Sequence, residues 1–404
     1  MYSLAIYIYM LCAGVVSLFN RKARLLIRGH RDTWRILRSQ IGDRRYVWFH
    51  AASLGEFEQG RPLMERLRRE HPEKRILLTF FSPSGYEVRK NYEGADVVCY
   101  LPFDTPLNAR KFVRLAKPEM AFFIKYEFWR NYIDVLYHQG IPVYSVSSIF
   151  RENQIFFRPY GYKYARVLRR ITHLFVQNEA SRELLKRLGV TQVSVVGDTR
   201  FDRVIDIRRQ ARELPVAEAA TRQGHVIVAG STWPPDEDIL IPYFNSHPDC
   251  RLILAPHVVS EDHLREIEQK LQRPALRYSQ ATPESAARAD CLLIDGYGLL
   301  SSIYRYATVA YVGGGFGVGI HNVPEAAVYG VPVFFGPNNR KFREARELIE
   351  AGGCFEIHSA DDFNRQADRL FADAQALTQA GQAAGRYISS NAGATDAVFS
   401  VVRF

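Results

Sequence analysis

The sequence predicts an α/β protein built on two doubly wound parallel sheets. Three observations predict it. Short apolar runs alternate with helix-like segments from residue 46 onward, as in successive βαβ units. The alternation pauses in a polar, alanine-rich stretch at 211–223 and then restarts. Several of the apolar runs end in glycine or other small residues, which mark tight turns or the close approach of another group. A length of 404 residues fits two or more domains better than one.

The chain opens with residues 2–19, eighteen positions without a charge. That is near the minimum for a spanning helix. No positive residue precedes this run, whereas Arg21, Lys22, Arg24 and Arg28 follow it. A secretory signal would show the opposite charge order. The run therefore reads as a membrane anchor or interfacial helix, with the body of the protein on the cytoplasmic side. The net charge is +10, and residues 21–45 alone hold nine Lys or Arg against two Asp. Basic charge beside an apolar run suits anionic headgroups. It argues against nucleic acid, where basic residues interleave with aromatics on one face. The five cysteines (Cys12, Cys99, Cys250, Cys291, Cys354) are scattered, so neither a disulfide framework nor a zinc site is expected.

The first α/β series follows. Strands are expected at 46–50, 75–81, 97–101, 120–124, 143–146, 174–177 and 193–196, with a helix from the 51–58 turn to about residue 69 and another over 179–188. Ser53-Leu-Gly-Glu56 opens the first of these helices just after a strand. Gly55 lets a ligand come close, and Glu56 stands in the first turn, where a carboxylate can act as a general base or simply complement the helix dipole. Lys125-Tyr-Glu-Phe-Trp129 follows another strand and puts charge among aromatics. Gly197-Asp-Thr-Arg-Phe-Asp202 supplies Arg200, whose guanidinium can meet a phosphate or pair with Asp198 or Asp202. His50 is expected to be a structural residue at a strand end.

The second series runs through strands at 225–230, 252–255, 291–294, 309–312 and 331–335, with a helix starting in 231–237. Open α/β sheets bind ligands beyond the carboxyl ends of their strands, so the turns after Ala229, Ala255, Ile294 and Val312 belong to one edge. The last of these is the richest, Gly313-Gly-Gly-Phe-Gly-Val-Gly319. It lacks the Gly-Lys-Ser/Thr ending of a Walker loop. It also has Ile320 where the dinucleotide fingerprint wants Gly or Ala. Asn322 is placed as an N-cap, Pro324 in the first turn and Glu325 as the capping-box acid, so the segment offers a helix N-terminus to a phosphate or sugar diol.

Taken together and in order, these segments resemble the bacterial 3-deoxy-D-manno-octulosonic acid (Kdo) transferases of lipid A assembly. The resemblance covers nearly the whole chain. It rests on Ser53-Leu-Gly-Glu56, Tyr126-Glu-Phe-Trp129, Gln177-Asn-Glu179, Gly197-Asp-Thr-Arg-Phe-Asp202, Gly230-Ser-Thr232, Ala255-Pro256 and His321-Asn-Val-Pro-Glu-Ala-Ala327. It implies a GT-B glycosyltransferase: two Rossmann-like domains facing a cleft, an N-terminal anchor at 1–20, an acceptor domain at 21–212, a CMP-sugar domain at 222–385, and a segment at 386–404 returning to the first domain. It implies transfer of Kdo from CMP-Kdo to the lipid A precursor, lipid IVA, at the cytoplasmic face of the inner membrane, with no cofactor and no metal bridging the nucleotide.

Carried over by position, Glu56 falls on the catalytic glutamate, joined by Lys125 and Arg200 as candidate catalytic residues. Pro256 and His257, Tyr297, Gly298 and Leu299, and Asn322, Val323, Pro324 and Glu325 fall on segments that contact CMP. Three positions depart from the pattern. His257 stands where Arg is frequent, Lys125 where Glu is common, and Arg200 where Lys is common. Two other readings stay open: a GT-B enzyme or epimerase using a UDP-sugar, and a non-catalytic basic protein of membrane surfaces.

Overall fold

Seven parallel strands form the first sheet: β1 (Tyr46–Ala51), β2 (Arg75–Phe80), β3 (Val97–Tyr100), β4 (Pro118–Ile124), β5 (Val143–Ser148), β6 (His173–Val176) and β7 (Val193–Val195). Their spatial order is β3-β2-β1-β4-β5-β6-β7. Side chains alternate between faces, and both faces are covered. Trp48, Leu77 and Phe123 enter one core, whereas Val47, Phe49, Leu78 and Phe122 enter the other. The second sheet comprises β8 (His225–Thr232), β9 (Cys250–Pro256), β10 (Ala275–Arg277), β11 (Cys291–Leu293), β12 (Val309–Val312), β13 (Val333–Phe335) and β14 (Cys354–Glu356). Its order is β10-β11-β9-β8-β12-β13-β14, again all parallel. The sequence reading passed over β10 and β14. Both are three-residue edge strands with partly exposed side chains, so neither carries an apolar run to read.

The structure is a computed structural model and describes residues 2–404. The chain divides into two units. Unit 1 runs to Arg203 and also takes Ala392–Phe404, and unit 2 is Val204–Asn391. The first boundary lies before the expected 212, because the helix Thr199–Arg209 carries the chain across it. The tail's return to unit 1 begins at Ala392, not 386, because the helix Ala374–Ser390 still packs in unit 2.

The N-terminal helix is shorter than the uncharged run that contains it. Helix α1 is Tyr2–Val16, and a turn separates it from α2, Arg21–Gln40. Asn20 ends the apolar run as the N-cap of α2, its side chain accepting from the Ala23 N–H at 3.1 Å. Fifteen residues rise about 22 Å, short of the roughly 30 Å of bilayer hydrocarbon. Among the described residues no helix is long and apolar enough to cross a membrane. Helix α1 also packs on unit 1. Ala13 of α1 and Leu26 of α2 join Tyr100 and Phe103 in a small core of unit 1.

Unit 1 is closed by its own two ends. The C-terminal helix Ala394–Val401 buries Val398 against the β1–β4 core. Asp202 grips the start of that helix, accepting from Gly393 N–H (2.6 Å), Thr395 N–H (2.6 Å) and Thr395 Oγ1 (2.7 Å). Asp202→Ala strands three donors and is expected to cost about 1–3 kcal/mol. Denaturant titration measures the loss, and hydrogen exchange should place the new opening at residues 394–401. Unchanged protection there would contradict the assignment.

Candidate active site

Each sheet reverses its strand order once, between β1 and β4 in the first and between β8 and β12 in the second. At such a reversal the two flanking crossovers lie on opposite faces, leaving a crevice beyond the strands' carboxyl ends. Glu56 and Lys125 stand at the first reversal and residues 322–325 at the second, and the other candidates follow strands further along the same carboxyl edges.

In unit 1, β1 ends at Ala51 and helix α3 (Leu54–Glu70) begins three residues later. Ser53 is its N-cap residue, yet its hydroxyl does not cap the backbone. It donates instead to the Glu56 carboxylate, while the Ser53 carbonyl accepts from the Phe57 N–H at 3.0 Å. Glu56 is thus held in the first turn, half-buried, with a hydroxyl donor on one oxygen. Gly55 beside it is exposed, and a Cβ there would meet little.

Across the strand reversal, β4 leads into Lys125, whose φ of 65° is left-handed and unusual outside glycine. Its backbone is fixed at both ends: its N–H donates to Val146 O at 2.8 Å, and its carbonyl accepts from Ser148 Oγ at 2.9 Å. The Lys125 ammonium lies 5.3 Å from the Tyr126 ring centroid. This bend re-aims the chain so that Glu127 turns back towards β1. Glu127 Oε2 accepts from Trp129 Nε1 at 2.5 Å and lies 3.3 Å from His50 Nε2. His50 is fully buried and is held on its other side by Thr79, 2.9 Å from Nδ1. The strand-end histidine is therefore structural, as expected, but it orients a carboxylate that the sequence reading did not select. The signal was Glu127 standing between aromatics two residues after Lys125.

Arg200 belongs to the same edge. Asp198, after β7, is 5% exposed and accepts from Arg200 Nε at 3.0 Å, Arg200 Nη2 at 2.9 Å and Gln59 Nε2 at 3.0 Å. Gln59 lies on α3, one turn beyond Glu56. A single carboxylate therefore fixes Arg200 to the helix that presents Glu56. Burial pushes the Asp198 carboxyl up, but Arg200 and the hydrogen bonds outweigh it and hold it below its ordinary value. Of the two partners considered for Arg200, Asp198 takes the guanidinium and Asp202 holds the C-terminal helix.

In unit 2 the glycine loop follows β12. Gly313 and Gly315 allow close packing: a Cβ on Gly315 would lie 2.5 Å from the Gly336 nitrogen. Gly314 needs a φ of 92°. The loop is anchored by buried Asp236, which accepts from Tyr311 Oη (2.8 Å), Gly314 N–H (2.9 Å) and Trp233 N–H (2.9 Å). Much of the loop's own hydrogen bonding is internal: Gly317 and Gly319 N–H donate to Gly314 O, and His321 N–H to Gly313 O.

The expected cap differs. The Asn322 side chain makes no cap bond to the backbone, and its amide donates to Glu325 Oε1 at 2.7 Å. Its ψ of 87° turns it away from the capping geometry, and the helix Val323–Ala327 is a single turn, too short for much of a dipole. Val323 and Pro324 are buried, leaving Asn322 and Glu325 to face outward.

The other nucleotide-binding candidates line the same edge. Pro256 ends β9 and is buried, and exposed His257 follows it. The Tyr297 hydroxyl accepts from the Val259 N–H at 3.3 Å, joining the 297–299 turn to the turn after β9, and Gly298 has a φ of 86°. Leu299 is partly buried at the N-cap of a short helix. Trp233, His257 and His321 form a stack, with centroids 4.8 Å apart for Trp233–His257 and 4.5 Å for His257–His321. Trp233 Nε1 donates to His321 Nε2 at 3.3 Å. Burial, and then neighbouring His257, lower the His321 pKa, so this imidazole is neutral near pH 7 and suited to accept that bond. Sequence alone did not single out Trp233 or His321 as site residues. Among the described residues no cluster of three or more His, Cys, Asp or Glu is placed to hold a metal ion.

Comparison with known proteins bears out the resemblance read from the sequence. Residues 25–203 match the family model described as 3-Deoxy-D-manno-octulosonic-acid transferase (kdotransferase). The 3-deoxy-D-manno-octulosonic acid transferase of Aquifex aeolicus is 27% identical over 319 residues, 77% of this chain and 82% of that protein. Its namesake in Rickettsia conorii is 23% identical over 396 residues, 93% of this chain and 82% of that protein. Among solved structures, UDP-GlcNAc 2-epimerase from Neisseria meningitidis matches with a TM-score of 0.61 at 13% identity, covering 88% of this chain and 98% of that one. Acinetobacter baumannii MurG matches at 0.55 and 12%, covering 89% and 99%. These likenesses establish the two-sheet fold, and fold does not select a substrate.

The Asp198 clasp makes a pH prediction. Its folded pKa lies below the ordinary 3.8, so its stabilising contribution is fully present above that value and is lost as pH falls through the lower folded value. The stability difference between wild type and Asp198→Asn should stay constant above about pH 5 and shrink below it. Denaturant titrations from neutral to acid pH measure this, and a difference independent of pH would contradict it.

Proposed function

We propose that this protein is a glycosyltransferase that moves Kdo from CMP-Kdo to a hydroxyl of the lipid A precursor, lipid IVA, at the cytoplasmic face of the inner membrane. The observation that carries the reading is the position of Glu56. It is a hydroxyl-supported carboxylate in the first turn after β1, at the strand reversal of a unit similar in sequence to Kdo transferases.

In this reading Glu56 takes the proton of the acceptor hydroxyl as its oxygen bonds to the anomeric carbon of Kdo. The bond from that carbon to the CMP phosphate oxygen breaks, and the electron pair leaves with CMP. Positive charge develops on the sugar ring in between, and Kdo's own carboxylate tempers it. Ser53 sets the direction of the Glu56 carboxylate. Arg200, steadied by Asp198, and Lys125 supply positive charge for the phosphates of donor or acceptor. Pro256 and His257, the 297–299 turn and residues 322–325 hold CMP. The Trp233–His257–His321 stack offers a flat aromatic wall and imidazole nitrogens on that side. The basic N-terminal segment keeps the enzyme where a lipid acceptor lies.

The UDP-sugar reading draws on fold likeness to an epimerase, which carries no substrate information. A non-catalytic membrane protein would have no need of a supported carboxylate at a strand reversal. Incubation with CMP-Kdo and lipid IVA, followed by mass measurement of the lipid, tests the proposal directly. The expected product is heavier by whole Kdo units, and turnover of a UDP-sugar without such a product would overturn the reading. Glu56→Gln should lower the transfer rate about 10²–10⁴-fold and leave CMP affinity unchanged. A folded variant that transfers at the wild-type rate would remove Glu56 from the mechanism.

A further inference from the structure

The turn after β4 holds a carboxylate that the proposed chemistry leaves unused. Lys125 bends left-handed, and two residues later Glu127 is turned back against β1. Its Oε2 is fixed. Trp129 Nε1 donates to it at 2.5 Å and also to His50 Nε2 at 3.0 Å, so the two acceptors share one N–H. The histidine is set in turn from behind. His50 Nδ1 lies 2.9 Å from Thr79 Oγ1 and 3.2 Å from Thr79 O. That hydroxyl gives its own proton to Phe49 O (3.3 Å) and accepts from Trp48 Nε1 (2.8 Å). Nδ1 is then the donor, and Nε2 keeps the lone pair that meets Trp129. Phe81 braces the indole, with ring centroids 4.8 Å apart.

The other oxygen, Oε1, has no hydrogen-bond partner among the described residues, yet it is not sealed in the core. The Glu127 side chain is 11% exposed. One oxygen locked and one open makes a preset acceptor, whose orientation is fixed before a ligand arrives. Nor does a lysine or arginine neutralise it among the described residues. Lys125 stands over the Tyr126 ring, and Arg130 pairs with Asp134 at 3.7 Å. An unneutralised carboxylate oxygen repels the phosphate and carboxylate of a CMP-sugar acid. It favours an uncharged donor, a hydroxyl or an amide N–H. An N-acylated aminosugar offers both.

We propose that Glu127 is a second substrate-binding carboxylate of unit 1: its open oxygen takes a hydroxyl or amide N–H of the acceptor sugar, at the same strand reversal where Glu56 takes the reacting proton. Trp129 and His50 are positioning residues that act through Glu127. The inference rests on the acceptor half of the proposed function and adds the group that orients the acceptor there.

Glu127→Gln isolates the contact. The Trp129 N–H keeps the amide oxygen, so the NH2 group faces the sugar, where it donates and cannot accept. In Kdo transfer the KM for lipid IVA should rise about 10- to 100-fold. The kcat and the KM for CMP-Kdo should stay within about twofold, because a contact made equally before and during reaction changes binding alone. Trp129→Phe keeps a ring against Phe81 but removes the N–H. It should give a smaller rise of the same kind, and it carries the test alone if the first variant does not fold. A fall in kcat with unchanged KM overturns the proposal. A second measurement needs no donor. The tryptophan fluorescence of the full chain is followed as N,N′-diacetylated glucosamine disaccharide is added. Wild type should bind about tenfold or more tightly than Glu127→Gln. Equal binding by the two, or none by wild type, overturns the proposal. Absence of Kdo transfer by a wild type that still shows the disaccharide difference would remove the donor reading and leave the sugar contact standing.

Discussion

Every strand in both sheets is parallel, and that constraint governs everything else. Parallel strands need crossovers, so all turns that leave a strand emerge on one edge. An edge made of loops has no ladder to stiffen it. Here three buried carboxylates take over that work. Asp104 follows β3 and collects Tyr2 Oη with the Asn131 and Tyr132 N–H groups. Asp198 follows β7 and collects Arg200 with Gln59. Asp236 follows β8 and collects Tyr311, Gly314 and Trp233. The balance between desolvation and donors differs among them. Burial wins at Asp104, whose pKa rises to about 6, and at Asp236, whose pKa also rises. At Asp198 a guanidinium tips the sum the other way. A carboxylate supported only by neutral donors pays for its burial in proton affinity; one with a cation does not.

The sequence carried the architecture because strand alternation and glycine turns are local signals. It also placed Glu56, since a carboxylate one turn into a helix after a strand is a local pattern. What it could not supply is which distant groups meet. Asp236 was visible only as a helix-start acid, and its role depends on Tyr311 and Gly314, more than seventy residues on. Glu127 looked like one charge among aromatics until β4 was paired with β1 and brought it to His50. Asn322 shows the converse error. It has the residue type of an N-cap, but backbone torsion decides capping, and its side chain pairs with Glu325 instead. The length of the opening helix was likewise hidden in the apolar run. Counting uncharged residues ignores where a helix stops, and Asn20 already marked the start of the next one.

The two edges differ in chemical character. Unit 1 gathers ionisable groups: Glu56, Lys125, Glu127 and Arg200, each with a named support. Unit 2 gathers glycine backbone, an indole and two imidazoles, with Asn322 and Glu325 outside them. The first set is suited to moving a proton and meeting charge, and the second to packing against a flat base or sugar. The proposed function draws on that contrast, with proton transfer in unit 1 and donor binding in unit 2.

The grip of Asp202 on Gly393 and Thr395 has a consequence for biosynthesis. Asp202 stands at the end of the first stretch of unit 1, whereas its partners emerge only after all of Val204–Asn391 has been made. At about 5–20 residues per second, a ribosome holds unit 1 incomplete for on the order of ten seconds or more. During that interval the β1–β4 core lacks Val398 and Val402, and the apolar α1 face is already exposed. Order of synthesis therefore sets when the core of unit 1 can close, and one carboxylate near the middle of the chain ties that moment to the arrival of the tail.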